Sequence, residues 1–316
     1  MHALVTGGAG FIGSTLVDRL LAEGHTVDVV DDLSTGSLGN LTEARAHPGR
    51  GLTFHRLDVR SPGLVELMGH REPEVVFHLA AQPDVRVSVE RPAFDAEINV
   101  IGTVNVLEGA RAAGCRKVVF AASGGTLYGE PDHVPVRETA PQRPLSPYGV
   151  SKKAGGDYLF AYRELHGVEF TALALANVYG PRQDPHGEAG VVAIFAGLLL
   201  SGQRCTIFGD GNQTRDFVFV DDVVDALARA ATKGDGLIIN IGTGMETSVN
   251  RLYSVMAELT GATEGPVYAP ARPGELARSA LDPGRAALQL GWRAWTTLDI
   301  GAGVVLRWFR SRVASA

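Results

Sequence analysis

The chain has 316 residues, of which 45% are hydrophobic and 20% are charged, and its formal net charge is −6. A chain of this length can form one large globular core or two modest ones. Its negative charge argues against a nucleic-acid partner, because such a surface needs an excess of basic residues. The two cysteines, Cys115 and Cys205, have no metal-binding spacing, so we expect reduced, buried thiols and no metal site.

The sequence shows neither a targeting segment nor a membrane span. Residues 1–5 lead directly into a glycine-rich turn, without the basic and apolar regions of a signal peptide. The apolar run Ala193–Leu200 is far shorter than the roughly 20 residues that a membrane-spanning helix needs. We therefore expect a soluble protein of the cytoplasm with no membrane partner.

Short apolar runs alternate with helical patterns through the first half of the chain. Continuous apolar strands that alternate with helices indicate a parallel sheet covered on both faces. The predicted fold is therefore α/β, with a doubly wound parallel sheet of the Rossmann type. The predicted strands are His2–Thr6, His25–Val30, Leu52–Leu57, Val75–Leu79, Lys117–Ala122 and Thr171–Leu175, and the predicted helices are Phe11–Ala22, Gly63–Arg71, Ala93–Ala113 and Pro147–His166.

The pattern changes after residue 176, where the turn-rich loop Gly180–Gly187 begins. Further on, Phe217–Val220 and Val223–Ala231 are predicted to return to the first sheet as a strand and a helix. We expect a cofactor-binding unit of residues 1–176, rejoined by about 213–240, and a smaller, discontinuous substrate-binding lobe of residues 177–212 and 241–316. Other predicted elements are the helices Val191–Leu200, Asn250–Leu259 and Leu298–Trp308 and the strand Cys205–Phe208.

A glycine-rich segment lies between the first predicted strand and the first predicted helix. It contains G-x-G-x-x-G at Gly8, Gly10 and Gly13, with a further glycine at Gly7. Glycine allows a tight turn, close approach of the backbone to a pyrophosphate, and close packing of helix on strand. The following helix presents free N–H groups to the anion. The segment therefore predicts a dinucleotide site, to which Gly7, Gly10, Phe11, Ile12 and Gly13 contribute.

Two acidic residues, Asp31 and Asp32, end the second predicted strand, and Asp31 comes eighteen residues after Gly13. A carboxylate at this position accepts hydrogen bonds from the adenosine ribose hydroxyl groups. It also repels a 2′-phosphate, and no arginine follows directly in the sequence. The pair therefore favours NAD over NADP as the cofactor.

A Tyr-x-x-x-Lys pattern is formed by Tyr148 and Lys152, just after Pro147. A proline at the start of a helix places positions 148 and 152 on one face. A nearby ammonium group stabilises phenolate and lowers the pKa of tyrosine from its usual value of about 10. Tyr148 is therefore the predicted base for a hydroxyl proton while a hydride leaves the same carbon.

Together with the glycine segment and this pair, several further motifs resemble the extended short-chain dehydrogenase/reductase family. Within it, the chain is most similar to the UDP-glucose 4-epimerases. The resemblance extends over nearly the whole chain. Its motifs include Asp58 after a strand, residues 78–81 (HLAA), Asn99, residues 177–182 (NVYGPR), residues 215–222 (RDFVFVDD) and residues 272–275 (RPGE).

The resemblance implies roles for individual residues. Asp58 and Val59 are expected at the adenine, and Asn99 at the nicotinamide end. The cofactor channel is expected to be lined by Leu79, Ala80 and Ala81. The expected contacts to the sugar nucleotide are Asn177, Val192, Arg215, Arg272, Glu275 and Ser279, with the guanidinium groups suited to a diphosphate.

Three departures from the family pattern stand out. The family usually has a catalytic serine or threonine four residues before the tyrosine of its Tyr-Gly turn, and here that residue is Gly124. The hydroxyl role then passes to Ser123, to Thr126 or to a water molecule. Residues 173–176 (LALA) lack the Arg-Tyr that often precedes the asparagine. Glycines 155 and 156 interrupt a helix at a cost of about 1 kcal/mol each, for which close backbone packing is our explanation.

By this resemblance we expect a UDP-sugar 4-epimerase. Residues 125–126 are Gly-Thr, where 4,6-dehydratases usually carry Asp-Glu, and this difference disfavours a dehydratase. Alternatives are a UDP-glucuronate 4-epimerase, a nucleotide-sugar dehydratase and a non-catalytic NAD sensor. The resemblance also implies a homodimer, in which the helices Ala93–Ala113 and Pro147–His166 of two subunits form a four-helix interface.

The identity of the sugar depends on two positions. The resemblance places Ser279 where relatives restricted to unsubstituted hexoses have a bulky tyrosine against the sugar. A serine leaves space on the order of an N-acetyl group, so N-acetylglucosamine is expected beside glucose. Arg182 is the candidate partner for the carboxylate of a glucuronate.

Overall fold

The structure of the protein, a computed structural model, describes residues 1–49, 51–185, 190–272 and 276–313. Its strands are β1 (His2–Thr6), β2 (Thr26–Asp31), β3 (Leu52–Arg56), β4 (Val75–His78), β5 (Lys117–Ser123), β6 (Glu169–Leu175), β7 (Asn177–Tyr179), β8 (Thr206–Phe208), β9 (Thr214–Arg215), β10 (Phe217–Phe219), β11 (Leu237–Ile241), β12 (Thr247–Ser248) and β13 (Val267–Ala269).

The helices in the same ranges are α1 (Phe11–Ala22), α2 (Thr42–Ala46), α3 (Gly63–Arg71), α4 (Val85–Glu90), α5 (Pro92–Ala96), α6 (Gly102–Ala112), α7 (Gly124–Leu127), α8 (Pro147–His166), α9 (Val191–Leu200), α10 (Val220–Ala230), α11 (Val249–Thr260), α12 (Gly284–Gln289) and α13 (Leu298–Val313). A 3₁₀ turn covers Leu38–Leu41, and a π-helical segment, Glu97–Ile101, joins α5 to α6. No helix in the described ranges is long and apolar enough to cross a membrane.

Seven strands form one parallel sheet in the order β3-β2-β1-β4-β5-β6-β11. The order reverses between β1 and β4, so the connections leave in opposite directions and open a crevice at the carboxyl ends of these two strands. This arrangement confirms the predicted Rossmann-type fold. It also places the glycine-rich segment after β1 and residues 79–81 after β4 side by side.

The two faces of the sheet carry separate hydrophobic clusters. In β1, Val5 belongs to one cluster and its neighbour Leu4 to the other, because successive side chains of a strand point to opposite faces. The first cluster includes residues of α1, α9, α10, α11 and α13, and the second includes residues of α3, α6 and α8. The apolar runs that predicted the strands reflect this two-sided burial.

The second half of the chain corrects part of the sequence prediction. Phe217–Phe219, predicted to return to the first sheet, instead pairs with Asn177–Tyr179 in a separate two-stranded sheet. The strand that joins the large sheet is Leu237–Ile241, which pairs with β6 and which the sequence analysis missed. Two further small sheets pair β9 with β12 and β8 with β13. The exact division into two units stays a prediction.

The helix predicted over residues 93–113 is divided. It begins at Pro92 as α5, continues through the π-helical segment and ends as α6 at Ala112. The extra residue of the π segment displaces the face that follows, and such segments are frequent at functional sites. A short helix before it, α4, is capped by Asp84, whose side chain accepts from the N–H groups of Arg86 and Val87.

The adjacent glycines of α8 have different explanations. A methyl group on Gly155 would lie 2.8 Å from the ring of Phe120, which is fully buried in β5. Close packing therefore explains Gly155, as expected. A methyl group on Gly156 would have no neighbour within 4 Å, and nothing in the structure explains this glycine.

Gly124 lies at the junction of β5 and α7, where a leucine from the C-terminal part of the chain fills the space beside it. A methyl group on Gly124 would lie 2.3 Å from Cδ1 of Leu281 and 3.1 Å from the backbone oxygen of Ala174. Leu281 is 1% exposed and belongs to the hydrophobic cluster on this face of the sheet. Packing against Leu281 therefore explains why position 124 is a glycine and not the serine or threonine that is usual in the family.

We predict that Gly124→Ala lowers the free energy of unfolding by about 1–3 kcal/mol, because the new methyl group overpacks the core. Gly125→Ala is the matched control in the same helix, since a methyl group there meets nothing within 4 Å. The control is expected to be neutral or to stabilise by roughly 0.4–1 kcal/mol. Urea unfolding of both variants checks this, and equal midpoints would show that Leu281 yields without cost.

Candidate active site

The glycine-rich segment after β1 forms a cradle that has no room for side chains. Gly7 has a φ of 69°, and a Cβ there would lie 2.7 Å from the backbone nitrogen of Ala80. A Cβ on Gly13 would lie 2.1 Å from the oxygen of Gly7. Helix α1 starts at Gly10 without a side-chain cap, so its first N–H groups remain for an anion. The segment therefore fits the pyrophosphate of NAD.

Asp31 connects this cradle to the end of β2. Its carboxylate is 7% exposed and accepts from the N–H groups of Ala9, at 2.9 Å, and Leu33, at 2.8 Å. Burial raises the pKa of Asp31, and these two hydrogen bonds oppose the rise. The residue predicted to bind the ribose thus also holds the glycine loop in place. The half-buried Asp32 accepts from the N–H and hydroxyl groups of Ser34.

Asp58, the residue expected at the adenine, is paired with an arginine that the sequence analysis missed. Nη2 of Arg60 lies 2.6 Å from its carboxylate, and this hydrogen bond is the main reason that the pKa of Asp58 is lowered. Val59 is 6% exposed, its side chain packs against Gly102, and its backbone oxygen accepts from Asn105 at 2.7 Å. The half-buried residues that follow β4 and border the crevice are Leu79, Ala80 and Ala81.

Tyr148, Lys152 and Ser123 meet at the carboxyl end of β5. Helix α8 begins at Pro147, is capped by the hydroxyl of Ser146, and places Tyr148 and Lys152 on one face. The Lys152 ammonium is 5.9 Å from the centre of the Tyr148 ring and donates to the backbone oxygen of Ala121 at 3.0 Å. Of the two candidate hydroxyl groups, that of Ser123 is the one that acts on Tyr148, where it favours a lower pKa of the phenol.

The sequence analysis expected the ammonium of Lys152 to lower the pKa of Tyr148. The structure shows a different balance of effects on this pKa. Burial raises the pKa of Tyr148 to about 12, the hydrogen bond from Ser123 opposes the rise, and the carboxylate of Asp95 adds to it. Burial also lowers the pKa of Lys152 to about 8, against the attraction of Asp95. Both groups are therefore costly to charge in this position.

Thr126, the other candidate for the missing hydroxyl, is engaged elsewhere. Its hydroxyl donates to the backbone oxygen of Ser123 at 3.4 Å, within the single turn of α7. The two residues therefore share one turn, and Ser123, but not Thr126, affects the pKa of Tyr148. The sequence could not separate them, because both lie within four residues of Gly124.

A buried hydrogen-bond network lies behind the cluster. Asn99 accepts from the N–H of Gln82 at 3.0 Å and donates to the oxygen of Gln82, also at 3.0 Å, and to Asp95 at 2.9 Å. Gln82 donates to the same carboxylate, and Ser151 donates to it at 2.6 Å. Asn99, predicted for the nicotinamide end, is thus part of a larger network that joins α5, α8 and the loop after β4.

His78, in the motif that contributed to the family resemblance, is fully enclosed between β1 and α6. It shares hydrogen bonds with the hydroxyl groups of Thr6, at 2.7 Å, and Thr103, at 3.0 Å. Burial, and then the charge of Lys152, lower the pKa of His78 to about 3. The imidazole therefore stays neutral and serves the packing of the sheet.

The residues expected to hold the sugar nucleotide lie on the elements that follow β6. Asn177 is exposed at the start of β7, and Arg215 in β9 donates to the backbone oxygens of Thr214 and Leu276, each at 2.8 Å. The exposed guanidinium of Arg272 stacks 4.0 Å from the centre of the Phe208 ring. This arrangement presents Arg272 on an aromatic face, where a planar base or a diphosphate can reach it.

Two further members of the predicted set have a specific placement. Ser279 is half-buried, and its N–H donates to the oxygen of Thr214 beside Arg215. Val192, in the first turn of α9, is 1% exposed, so its side chain lies in the core. Glu275 lies outside the described residues.

Arg182 does not offer the free charge that was expected for a sugar carboxylate. Its side chain is 12% exposed, and Nη1 lies 2.7 Å from the carboxylate of Asp18 in α1. Nη2 lies 3.5 Å from Glu43 in α2. The proposed contact to a glucuronate is therefore corrected, because this guanidinium joins the loop after β7 to the helices of the first unit.

The buried carboxylate of Asp216 joins several segments of the second half of the chain by hydrogen bonds. The sequence analysis gave this residue no role of its own. Its carboxylate is 1% exposed and accepts from the N–H and hydroxyl groups of Thr243, and from the N–H groups of Gly244 and Leu281. These bonds hold the turn after β11 and fix Leu281 against Gly124. Its position next to Arg215 is the only sequence signal that could have pointed to it.

Comparisons with known proteins agree with this geometry. The model of the NAD dependent epimerase/dehydratase family matches residues 3–242. The UDP-glucose 4-epimerase of Mycolicibacterium smegmatis is 51% identical over 313 residues, which cover 99% of each chain.

Two solved structures extend the similarity to the fold. The UDP-glucose 4-epimerase of Thermotoga maritima, with UDP-glucose, is 44% identical with a TM-score of 0.95 and covers 99% of this chain and 100% of its own. That of Thermus thermophilus, in complex with NAD, is 43% identical with a TM-score of 0.91, covering 98% and 99%. This chain belongs to the NAD-dependent epimerase/dehydratase family, and its cofactor is NAD.

Proposed function

We propose that the protein is a UDP-sugar 4-epimerase that interconverts UDP-glucose and UDP-galactose, with Tyr148 as the base. The observation that carries the proposal is the meeting of Tyr148, Ser123 and Lys152 at the carboxyl end of β5, beside the crevice bordered by the glycine cradle. The similarity to UDP-glucose 4-epimerases over the whole chain supports the same reaction.

In the proposed mechanism, the phenolic oxygen of Tyr148 takes the proton of the sugar 4-hydroxyl, and later returns it. Bound NAD accepts the C4 hydride and gives it back, and its positive ring favours the phenolate. Ser123 donates a hydrogen bond to the same oxygen, and Lys152 contributes a positive charge. Return of the hydride to the opposite face of the 4-keto sugar inverts C4 without net oxidation.

The surroundings of the sugar support epimerisation over dehydration. A dehydratase needs an additional acid and base near the sugar, and α7 offers glycine and threonine at positions 125 and 126. The space beside Gly125 is open, whereas that beside Gly124 is filled by Leu281.

The preferred sugar and the assembly are also proposals. We propose activity on UDP-glucose and UDP-N-acetylglucosamine, because the side chain at position 279 is small. The ion pairs of Arg182 argue against glucuronate. A homodimer in the cytoplasm is proposed from the family resemblance, and it is supported by exposed apolar side chains on the π-helical segment and α8. These are Ile101, Val150, Tyr158, Phe160 and Leu165.

The first experiment is incubation with UDP-glucose and identification of UDP-galactose by nuclear magnetic resonance, without added NADH. We predict that Tyr148→Phe lowers kcat by at least 10²-fold, because it removes the proton acceptor. NAD content after purification should stay as in the parent protein. A Tyr148→Phe protein that retains full turnover would remove Tyr148 from the chemistry, and no turnover in the parent protein would favour a sensor.

A second prediction distinguishes the role of the Ser123 hydroxyl from that of the Thr126 hydroxyl. We expect Ser123→Ala to reduce kcat about tenfold or more, since its hydroxyl bonds the phenol, with little change in KM. Thr126→Ala is the matched control, because the Thr126 hydroxyl bonds only a backbone oxygen, and it should cost less. Steady-state kinetics of the two variants measures this. A larger loss in Thr126→Ala would reverse the assignment.

The third prediction concerns the sugar. Ser279→Tyr is expected to suppress activity on UDP-N-acetylglucosamine at least tenfold more than activity on UDP-glucose, because the ring fills the space for the N-acetyl group. The ratio of kcat/KM for the two substrates is the measurement, and Ser279→Ala serves as the control. Equal losses on both sugars would place Ser279 outside the pocket.

A further inference from the structure

The positive charge of Lys152 is buried without a salt bridge to any carboxylate of the described residues. Lys152 is 4% exposed, and its ammonium contacts the oxygen of Ala121 and, at 5.0 Å, the centre of the Phe120 ring. Removing an ammonium from water disfavours its charged form by several kcal/mol unless another charge compensates. The proposed mechanism needs the positive charge of Lys152 beside Tyr148. A negative charge that does not touch Lys152 directly therefore has to stabilise it.

Asp95 supplies the nearby negative charge. Its carboxylate is fully buried in α5, which packs on α8, and it accepts hydrogen bonds from Gln82, Asn99 and Ser151. All three donors are neutral, so no cation in direct contact neutralises the carboxylate. Ser151 directly precedes Lys152, so this bond ties Asp95 to the turn of α8 that carries Lys152, and the charge of Asp95 attracts the Lys152 ammonium.

The other ionisable groups around Lys152 and Asp95 do not provide a counter-charge for Lys152. From α8 the pair faces Tyr148, whose ionisation Asp95 opposes. From β4 it faces His78, which stays neutral. Asp84, before α4, lies 3.2 Å from Arg86, and Glu97 of the π-helical segment lies 3.5 Å from Arg60 on the surface.

We propose that Asp95 is a positioning residue of the reaction, the buried counter-charge that keeps Lys152 protonated and holds the first turns of α8 in register with the loop after β4. The role of Asp95 in catalysis rests on the proposed function. Its effect on the protonation of Lys152 is a property of the protein itself and does not depend on turnover. Its absence from the Tyr-x-x-x-Lys pattern explains why the sequence analysis did not find it.

Asp95→Asn tests the charge with little change in shape. Its amide oxygen can accept from Gln82 and Asn99, and its amide nitrogen can donate to the hydroxyl of Ser151, so the network is kept. Asp157→Asn is the matched control on α8, because that carboxylate is 67% exposed and pairs with Lys153. Ser151→Ala keeps the charge of Asp95 and removes one hydrogen bond.

The measurement exploits the small number of lysines in the chain, which are Lys117, Lys152, Lys153 and Lys233. Labelling lysine with carbon-13 at Cε gives four signals whose shifts report protonation, and Lys152→Met assigns one of them. In the NAD-loaded protein, we expect Asp95→Asn to lower the titration midpoint of Lys152 by on the order of one pH unit or more. Asp157→Asn and Ser151→Ala should leave the midpoint in place.

An unchanged midpoint in Asp95→Asn would overturn the inference, whatever the activity. If the parent protein epimerises UDP-glucose, the basic limb of its kcat/KM profile should move to lower pH by a similar amount in this variant. A loss of rate without that movement would indicate a merely structural role. Absence of turnover in the parent protein contradicts the proposed function and leaves the lysine titration to decide the inference.

If Asp95→Asn alone does not fold, the double variant Asp95→Asn/Lys152→Met decides. Removing both charges together should restore folding, because neither is then left buried and uncompensated. A double variant that remains unfolded would contradict an electrostatic coupling between the two residues.

Discussion

The approach of two backbones at the carboxyl edge of the sheet is the constraint on which the site depends. Gly7 and Ala80 end neighbouring strands, and a single added carbon on Gly7 would lie 2.7 Å from the nitrogen of Ala80. This closeness leaves a crevice bordered by main chain, in which N–H groups and the dipole of α1 face an anion. The side chains proposed for the chemistry lie one strand further along, where Ser123 ends β5 and α8 carries Tyr148 and Lys152.

What the sequence predicted well was encoded over short distances. The glycine cradle, Asp31, and the pair of Tyr148 and Lys152 depend on spacing within a turn or a single strand–helix unit, so their placement follows from local rules. The parallel sheet followed from apolar runs that are buried on both faces. The strand Leu237–Ile241 was missed, because two of its five residues are only half-buried and its pairing with β6 crosses a long stretch of chain.

What the sequence did not predict depends on contacts between distant segments. The bond from Ser151 to Asp95 joins residues that are 56 positions apart, and no local pattern relates them. Leu281 fills the space beside Gly124, and its backbone is held there by Asp216 and by a bridge to Val136. Gly124, which departs from the family pattern in the sequence, is in the structure one half of a packing pair with Leu281.

The ion pairs of Arg182 have a mechanical consequence. Arg182 has a φ of 72°, and its guanidinium is bonded to Asp18 in the first helix. The segment from Asn177 to Arg182 is therefore tied to the nucleotide-binding half, although it begins the part of the chain assigned to the substrate. If the predicted substrate lobe moves relative to the cofactor unit, this ion pair sets the hinge after Arg182, with Asn177 on the cofactor side.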